Sequence, residues 1–472
     1  MLKVRDRIWS ILIRIIAGIS FGAAIIYLFL KQRYRLTLLS LALAGLAAIL
    51  IVPYQFFADA MVFLLMIFKA RFAFKLFGFF INPAQIAYVL FLGSLFLALV
   101  LRPKDTILRR PGIIEWSTLI FFAVMIISAV HGLLNKDIFR AFSQSSFNSD
   151  VARGPIFYLW IVFFSIFIFR DEKSIERTAL LGGLGLFLQL LYGVFEFFTM
   201  GRRSPYMGAG FGVTWGYHFQ PMVILSAVLL QYALITKKKS IFALSAFVYL
   251  FIIFFRSRTS ILYGLMLIFY AVLVTSLIQP KGKRLKYFFS GMVYYLISLI
   301  VIAGFLYIIM TPSQFKLLIE LIAQRFKPTI SPGYDLSLHA RAIELKNALA
   351  LYRENKLLGQ GFGTTFFVFK NSFYIDHCYG IILAKMGLLG LFSFLFMYFS
   401  GIFVGLRLLP KVWLIESDIV KSLVLVTPGV LAGLLVAGFY VSHPFFSMAT
   451  IICVSILMAA VSFEWNKLKR KA

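Results

Sequence analysis

The chain has 472 residues, 61% of them hydrophobic and only 14% charged, with a mean hydropathy of +0.92. Soluble domains average roughly 45–50% apolar and 25% charged, so that class is excluded. The net charge of +29 is no nucleic-acid signature, because the basic residues stand in short clusters between apolar runs instead of on one amphipathic face. Taken in chain order, Lys3, Arg5 and Arg7 precede an apolar run at 8–30. It is too long for a signal-peptide core and lacks a small-residue cleavage site, so it is expected to stay as a first helix. Further runs follow at 36–52, 56–68, 84–101, 113–130, 155–169, 178–199, 219–236, 241–255, 258–278, 288–310, 378–406, 422–440 and 444–463. The expectation is an all-α polytopic membrane protein, one integral domain over 1–472 with about 12–14 transmembrane helices. Lys69, Arg71 and Lys75 interrupt 56–81, which reads as a short span followed by an interfacial segment.

Orientation follows from the cytoplasmic bias of Lys and Arg in short loops. The clusters at 102–110, 237–239, 281–286 and 467–471 are cytoplasmic under one alternation, which places 131–154, 200–218, 256–258, 311–376 and 441–443 on the outer side. The Lys31–Arg35 cluster breaks the rule in this count, so the first three spans are the least constrained. Cys378 and Cys453 are the only cysteines, one of them deep in an apolar run, so neither a disulfide framework nor a metal cluster is indicated.

The one long hydrophilic segment, 311–376, carries eight basic residues against five acidic. It is basic on the side where topology does not ask for it, which reads either as ordinary loop variation or as a surface facing an anion such as a phosphate. Within it Leu345, Ala348, Leu349 and Tyr352 keep helical spacing, with Asp335 or Ser337 to cap and Gly359 to stop, predicting an amphipathic helix over 338–354. Arg341 lies on the apolar face of that helix, four residues before Leu345, and His339 shares the helix. Such an arginine either snorkels past its neighbours or aims a charged planar fork into a cavity.

Two glycine-rich stretches follow the same logic: Gly208-Ala209-Gly210-Phe211-Gly212, and Gly359-Gln360-Gly361-Phe362-Gly363. Neither follows a strand in a βαβ unit, so neither is a dinucleotide fingerprint. Their amides either approach a pyrophosphate or simply close tight turns at the membrane surface. Arg256 and Arg258 stand between two apolar runs with no acid nearby. Charges at membrane depth are costly and mark functional sites or snorkelling helix ends. His377, preceded by Asp376, opens the apolar run after the loop, and its ordinary pKa of about 6.5 makes it the natural neutral-pH base. Cys378 beside it is discounted as a partner, since adjacent helical positions diverge. His131, His218 and His443 are weaker outer-side candidates.

Three pieces of this sequence together resemble the O-antigen ligase and polymerase superfamily of bacterial envelope glycosyltransferases. They are Ser257-Arg258-Thr259-Ser260 opening a span; Arg341 followed by Ala348-Leu349 and Leu357-Leu358-Gly359-Gln360-Gly361-Phe362-Gly363; and His377-Cys378-Tyr379 leading into Lys385-Met386-Gly387-Leu388-Leu389-Gly390-Leu391. They cover residues 240–410. The family often has asparagine where Cys378 stands and an acid where Lys385 stands, departures that bear on the subfamily.

The resemblance implies a GT-C-like inner-membrane enzyme that uses a polyprenyl-diphosphate-linked glycan as donor at the periplasmic face. Arg258, Arg341 and Arg256 would bind the diphosphate and stabilise its charge as it leaves. His377 would take the proton of the attacking hydroxyl, with inversion, and Gly361, Gly363 and His339 would be loop contacts. No cofactor, nucleotide or metal is implied, and no nucleic-acid partner. The acceptor is lipid A–core for a ligase, toward which the reading leans, or a second lipid-linked repeat for a polymerase. A transporter or flippase of lipid-linked sugars is the rival of a different class; it would show internal repeat symmetry and mid-membrane charges.

Overall fold

The computed structural model describes residues 45, 47–50, 52–67, 74–76, 79–81, 83–134, 155–200, 219–254, 258–309, 312, 316, 320, 336–362, 377–440 and 447–471. Among these residues the chain is helical apart from one hairpin. Six helices are long and apolar enough to cross a membrane: Ile113–Leu134, Thr259–Leu277, Lys281–Phe305, Cys378–Leu414, Asp418–Ala437 and Met448–Arg470. Each coincides with a run read from the sequence. Shorter apolar helices lie at Tyr54–Ile67, Ile86–Leu101, Pro155–Ile168, Gln220–Thr236 and Lys239–Leu250. The protein is therefore a helical, membrane-embedded one. The run at 8–30 and most of that at 36–52 lie outside the described residues.

Internal packing divides the chain into two compact units, residues 1–64 with 71–107, and residues 65–70 with 108–472. The first unit contains most of α1 (Tyr54–Ile67), strands β1 (Phe74–Leu76) and β2 (Phe79–Ile81), and α2 (Pro83–Leu101). The segment expected at the interface is thus an antiparallel hairpin, with Phe74 opposite Ile81. Aromatic and aliphatic residues around a two-residue connection containing Gly78 favour that outcome over helix. Proline opens α2, where its missing N–H costs nothing. The Tyr54 ring stands edge-on to Phe91 at 6.4 Å, and Thr106 Oγ1 donates to the Arg102 carbonyl at 2.7 Å, satisfying one acceptor of the α2 terminus.

The second unit holds α3 (Ile113–Leu134), the composite α4 (Pro155–Ile168), α5 (Glu172–Met200), α6 (Phe219–Thr236), α7 (Lys239–Phe254) and α8 (Arg258–Leu277). After them come α9 (Arg284–Ile309), α10 (Leu336–Glu354), α11 (Cys378–Leu408), α12 (Asp418–Ala437) and α13 (Met448–Lys471). The centre is α12 and α13: α12 packs on α6, α8, α11 and α13. α13 is almost wholly buried, whereas α9 is largely uncovered and exposes Phe289, Ile300 and Ile308. Close helix approach is bought with small residues, as membrane interfaces require. A Cβ on Gly433 of α12 would stand 2.3 Å from Met266 Cε and 2.4 Å from Tyr263 Cε2 of α8.

One end of this unit is closed by ions. Ser417 caps α12, its Oγ accepting from the Val420 amide at 3.2 Å and donating to Glu176. Its amide donates to Glu172 at 2.6 Å, and Glu172 also binds the Lys467 ammonium of α13. Burial would raise the Glu172 carboxyl, but Lys467 and the amides of Ser417 and Glu416 outweigh it and hold the group below its ordinary range. Arg109 stacks on Phe463, 3.7 Å from its centroid, and donates to the Phe169 carbonyl at 2.5 Å. Burial pulls its pKa down to about 10. Glu464 is fully buried, with no hydrogen bond to either oxygen and Lys467 Nζ 3.7 Å away. Arg109 thus shares an end of this unit with the basic side chain of Lys467.

Candidate functional site

At the opposite end the C-terminus of α12 meets the start of α11, and the C-terminal parts of α3 and α10 meet α11 at a break ten residues further on. His377 is the N-cap of α11, with an extended backbone (φ −135°, ψ 110°) and Nδ1 accepting the Gly380 amide at 3.0 Å. An acceptor side chain at this place satisfies one of the orphan amides of a first turn. The neutral imidazole consequently carries its proton on Nε2. The residue is 7% exposed, and its ring meets Tyr379 and Phe439 edge-on at 6.1 and 6.2 Å. The Cys378 amide donates to the Gly438 carbonyl at 3.0 Å and the Tyr379 hydroxyl to the Leu435 carbonyl, so α11 begins clamped to the end of α12. Cys378 is fully buried.

α11 is then broken. At Gly387 the backbone turns to φ 61° and ψ −158°, a region that favours glycine. The break strands the carbonyls of Ala384 and Lys385 and the amides of Leu388 and Leu389, which need other partners. The turn after α10 supplies them. The Gln360 amide donates to the Ala384 carbonyl at 2.8 Å and that of Gly361 to the Lys385 carbonyl at 2.9 Å. In return the Leu388 and Leu389 amides donate to the Lys356 and Leu357 carbonyls at 2.9 and 3.2 Å. Gly359 and Gly361 have φ of 63° and 88°. Any Cβ on Gly359 would lie 2.6 Å from the Lys385 carbonyl carbon.

α3 completes the arrangement. Ser128 Oγ donates to the Lys385 carbonyl at 2.8 Å, while the Ser128 carbonyl accepts the Phe362 amide at 3.2 Å. One turn later Gly132 lies directly beneath Gly361, where a Cβ would meet the Phe362 carbonyl oxygen at 2.1 Å. His131 Nε2 and Asn355 Nδ2 are 2.9 Å apart. The Leu358 amide donates to Asn355 Oδ1 at 3.3 Å, which orients the amide group so that Nδ2 faces the histidine.

The predicted helix over 338–354 is α10, Leu336–Glu354, so Ser337 falls inside it, and Asp335 lies outside the described residues. Its covered face runs through Arg341, Leu345, Ala348 and Leu351, with Ala348 fully buried and Arg341 half-buried. Arg341 therefore lies on the face its spacing indicated, and α10 packs on α11, the His377 helix. Arg258 is the first residue of α8, its side chain outside the described residues, as is the side chain of His339 in α10. Arg256, Gly363, Asp376, His218 and His443 also lie outside them. The Gly361 amide is engaged by Lys385, so this turn closes on protein.

The sequence reading missed Ser128, Gly132 and Asn355, and it left the burial of Lys385 (7% exposed) unremarked. The signal for the first two was present: Ser128 and Gly132 form a small-x-x-x-small pair inside an apolar run, a mark of close helix approach. Among the described residues no group of three His, Cys, Asp or Glu is gathered for a metal. No family model matches the chain, and no curated protein matches its sequence.

Proposed function

We propose that this protein is a lipid-dependent glycosyltransferase of the O-antigen ligase type, with 12–14 spans in a GT-C-like arrangement in the bacterial inner membrane. Its donor is a glycan on polyprenyl diphosphate and its acceptor a hydroxyl of lipid A–core, met at the periplasmic face. The observation that supports this reading is the meeting of two of the three resembling segments: the Gly359–Phe362 turn fills the break at Gly387, and this joins the Arg341 helix to the His377 helix.

The acceptor oxygen attacks the anomeric carbon, the bond from that carbon to the diphosphate breaks, and the electron pair leaves on the diphosphate. Arg341 and Arg258, with Arg256, bind that anion as its charge develops. His377 takes the acceptor proton at Nδ1, and its bond to the Gly380 amide opens as it does so. The filled break favours a transferase over a transporter, in which unwound backbone is left to coordinate the cargo.

The test is transfer by purified protein from a lipid-linked repeat, offered lipid A–core or a second repeat, in native and His377→Ala forms. Product on lipid A–core, lost in His377→Ala, is expected. Product on a second repeat alone would make the enzyme a polymerase, and full activity of His377→Ala would remove the histidine from the mechanism.

A further inference from the structure

The four backbone groups stranded at Gly387 lie where a membrane protein with a broken helix commonly binds a ligand. Here all four are taken by residues 356–361, and a fifth bond, from Ser128 Oγ, reaches the same Lys385 carbonyl. The turn is held from its other side as well, by the Ser128 carbonyl, by the Gly132 backbone against Gly361, and by the His131 contact with Asn355. Two helices, α3 and α11, thus grip seven residues of chain. Opening this grip leaves buried polar backbone without its partners, which costs free energy for each group left unpaired.

We propose that the 356–362 turn is a fixed strut that sets the Arg341 helix against the His377 helix, with Ser128 and Gly132 as its positioning residues. This rests on the glycosyltransferase reading above. The strut carries no charge to the substrate. Its part is geometric: it enters the helix that bears His377 ten residues beyond that histidine, at Gly387, and it leaves α10 directly after Glu354. A cation for the departing diphosphate and the group at the acceptor are then held at a constant separation, the condition under which bound reactants gain most from orientation. Ser128 serves both sides of the strut, donating to α11 and accepting from the turn, and Gly132 leaves the room that the turn occupies.

The experiment combines hydrogen exchange of the full-length protein in nanodiscs with steady-state transfer, on Ser128→Ala, Ser128→Thr and Gly132→Ala. Ser128→Ala removes one hydroxyl bond and should speed amide exchange in 356–362 and 384–389 about tenfold, leaving α12 and α13 unchanged. kcat should fall about tenfold while KM for the donor stays within about twofold, because the phosphate contacts themselves are intact. Ser128→Thr should restore both. Gly132→Ala should give the larger exchange effect. Unchanged exchange in Ser128→Ala and Gly132→Ala alike overturns the strut. Faster exchange with unaltered kcat overturns its positioning role. Absence of transfer by the native protein overturns the function reading and the role that rests on it, and the exchange data alone then decide whether the strut exists.

Discussion

Lys467→Met tests the ionic closure at the start of α12. Lys467 binds Glu172 and stands 3.7 Å from Glu464, and the three side chains are 24%, 10% and 0% exposed. Removing the ammonium leaves Glu464 without its nearest cation beside Glu172, which keeps only its backbone donors from Ser417 and Glu416. Breaking a buried pair from one side costs about 3–5 kcal/mol, and the partial exposure of Lys467 puts the expectation at about 3. Thermal unfolding in detergent, followed by tryptophan fluorescence, should show a midpoint lowered by roughly 3–6 °C. Adding Glu464→Gln to Lys467→Met should recover part of the loss, with a coupling of about 1–3 kcal/mol. The pH dependence has a definite sign. The folded Glu172 carboxyl lies below its ordinary value. Its stabilisation is therefore complete above about pH 4.3, the unfolded pKa of glutamate, and disappears as pH falls through the lower folded value. Native and Lys467→Met curves should converge in that acid range. A Lys467→Met midpoint within about 1 °C of native at pH 7 would refute the reasoning and make the cluster one more ion pair of negligible net effect.

Three further expectations concern the rest of the molecule. Arg341→Ala should weaken donor use, and Arg341→Lys should restore it only in part, since an ammonium offers a point charge instead of a fork; complete recovery in donor titrations would argue against a two-point phosphate contact. Gly433→Ala should lower stability by about 1–3 kcal/mol through its contact with Tyr263 and Met266, read from the same unfolding assay; a neutral result would mean that α8 and α12 are less closely set. Lys356→Cys should react with a membrane-impermeant maleimide from outside the cell, against a low background because Cys378 and Cys453 are buried; labelling only from the cytoplasmic side would remove the outer-face assignment.

Much of this architecture was legible in the residues. Length of apolar run and basic residues at run ends are local features, and they located each of the six long apolar helices. The periodicity of Leu345, Ala348 and Tyr352 placed α10 and the face on which Arg341 lies, because helical spacing is a property of neighbouring residues alone. The hairpin at 74–81 was less legible, since a short apolar stretch with two lysines or arginines before it reads equally as an interfacial helix.

The glycine turn shows where local reading stops. Glycine content allowed two uses, amides open to a phosphate or a closed turn, and nothing within 359–363 distinguishes them. The distinction depends on Gly387, some 26 residues away, and on Ser128, more than 220 residues away: their partners take the amides of Gln360, Gly361 and Phe362. Likewise, His377 as a base was a statement about residue type, while the commitment of its Nδ1 to the Gly380 amide is a statement about a helix start. Composition and spacing therefore determined that the chain is a membrane protein and where its six long apolar helices run. Tertiary structure alone decided which of those polar groups are already satisfied, because a hydrogen bond in a low-dielectric interior is settled by which distant backbone comes within 3 Å, and no local pattern encodes that.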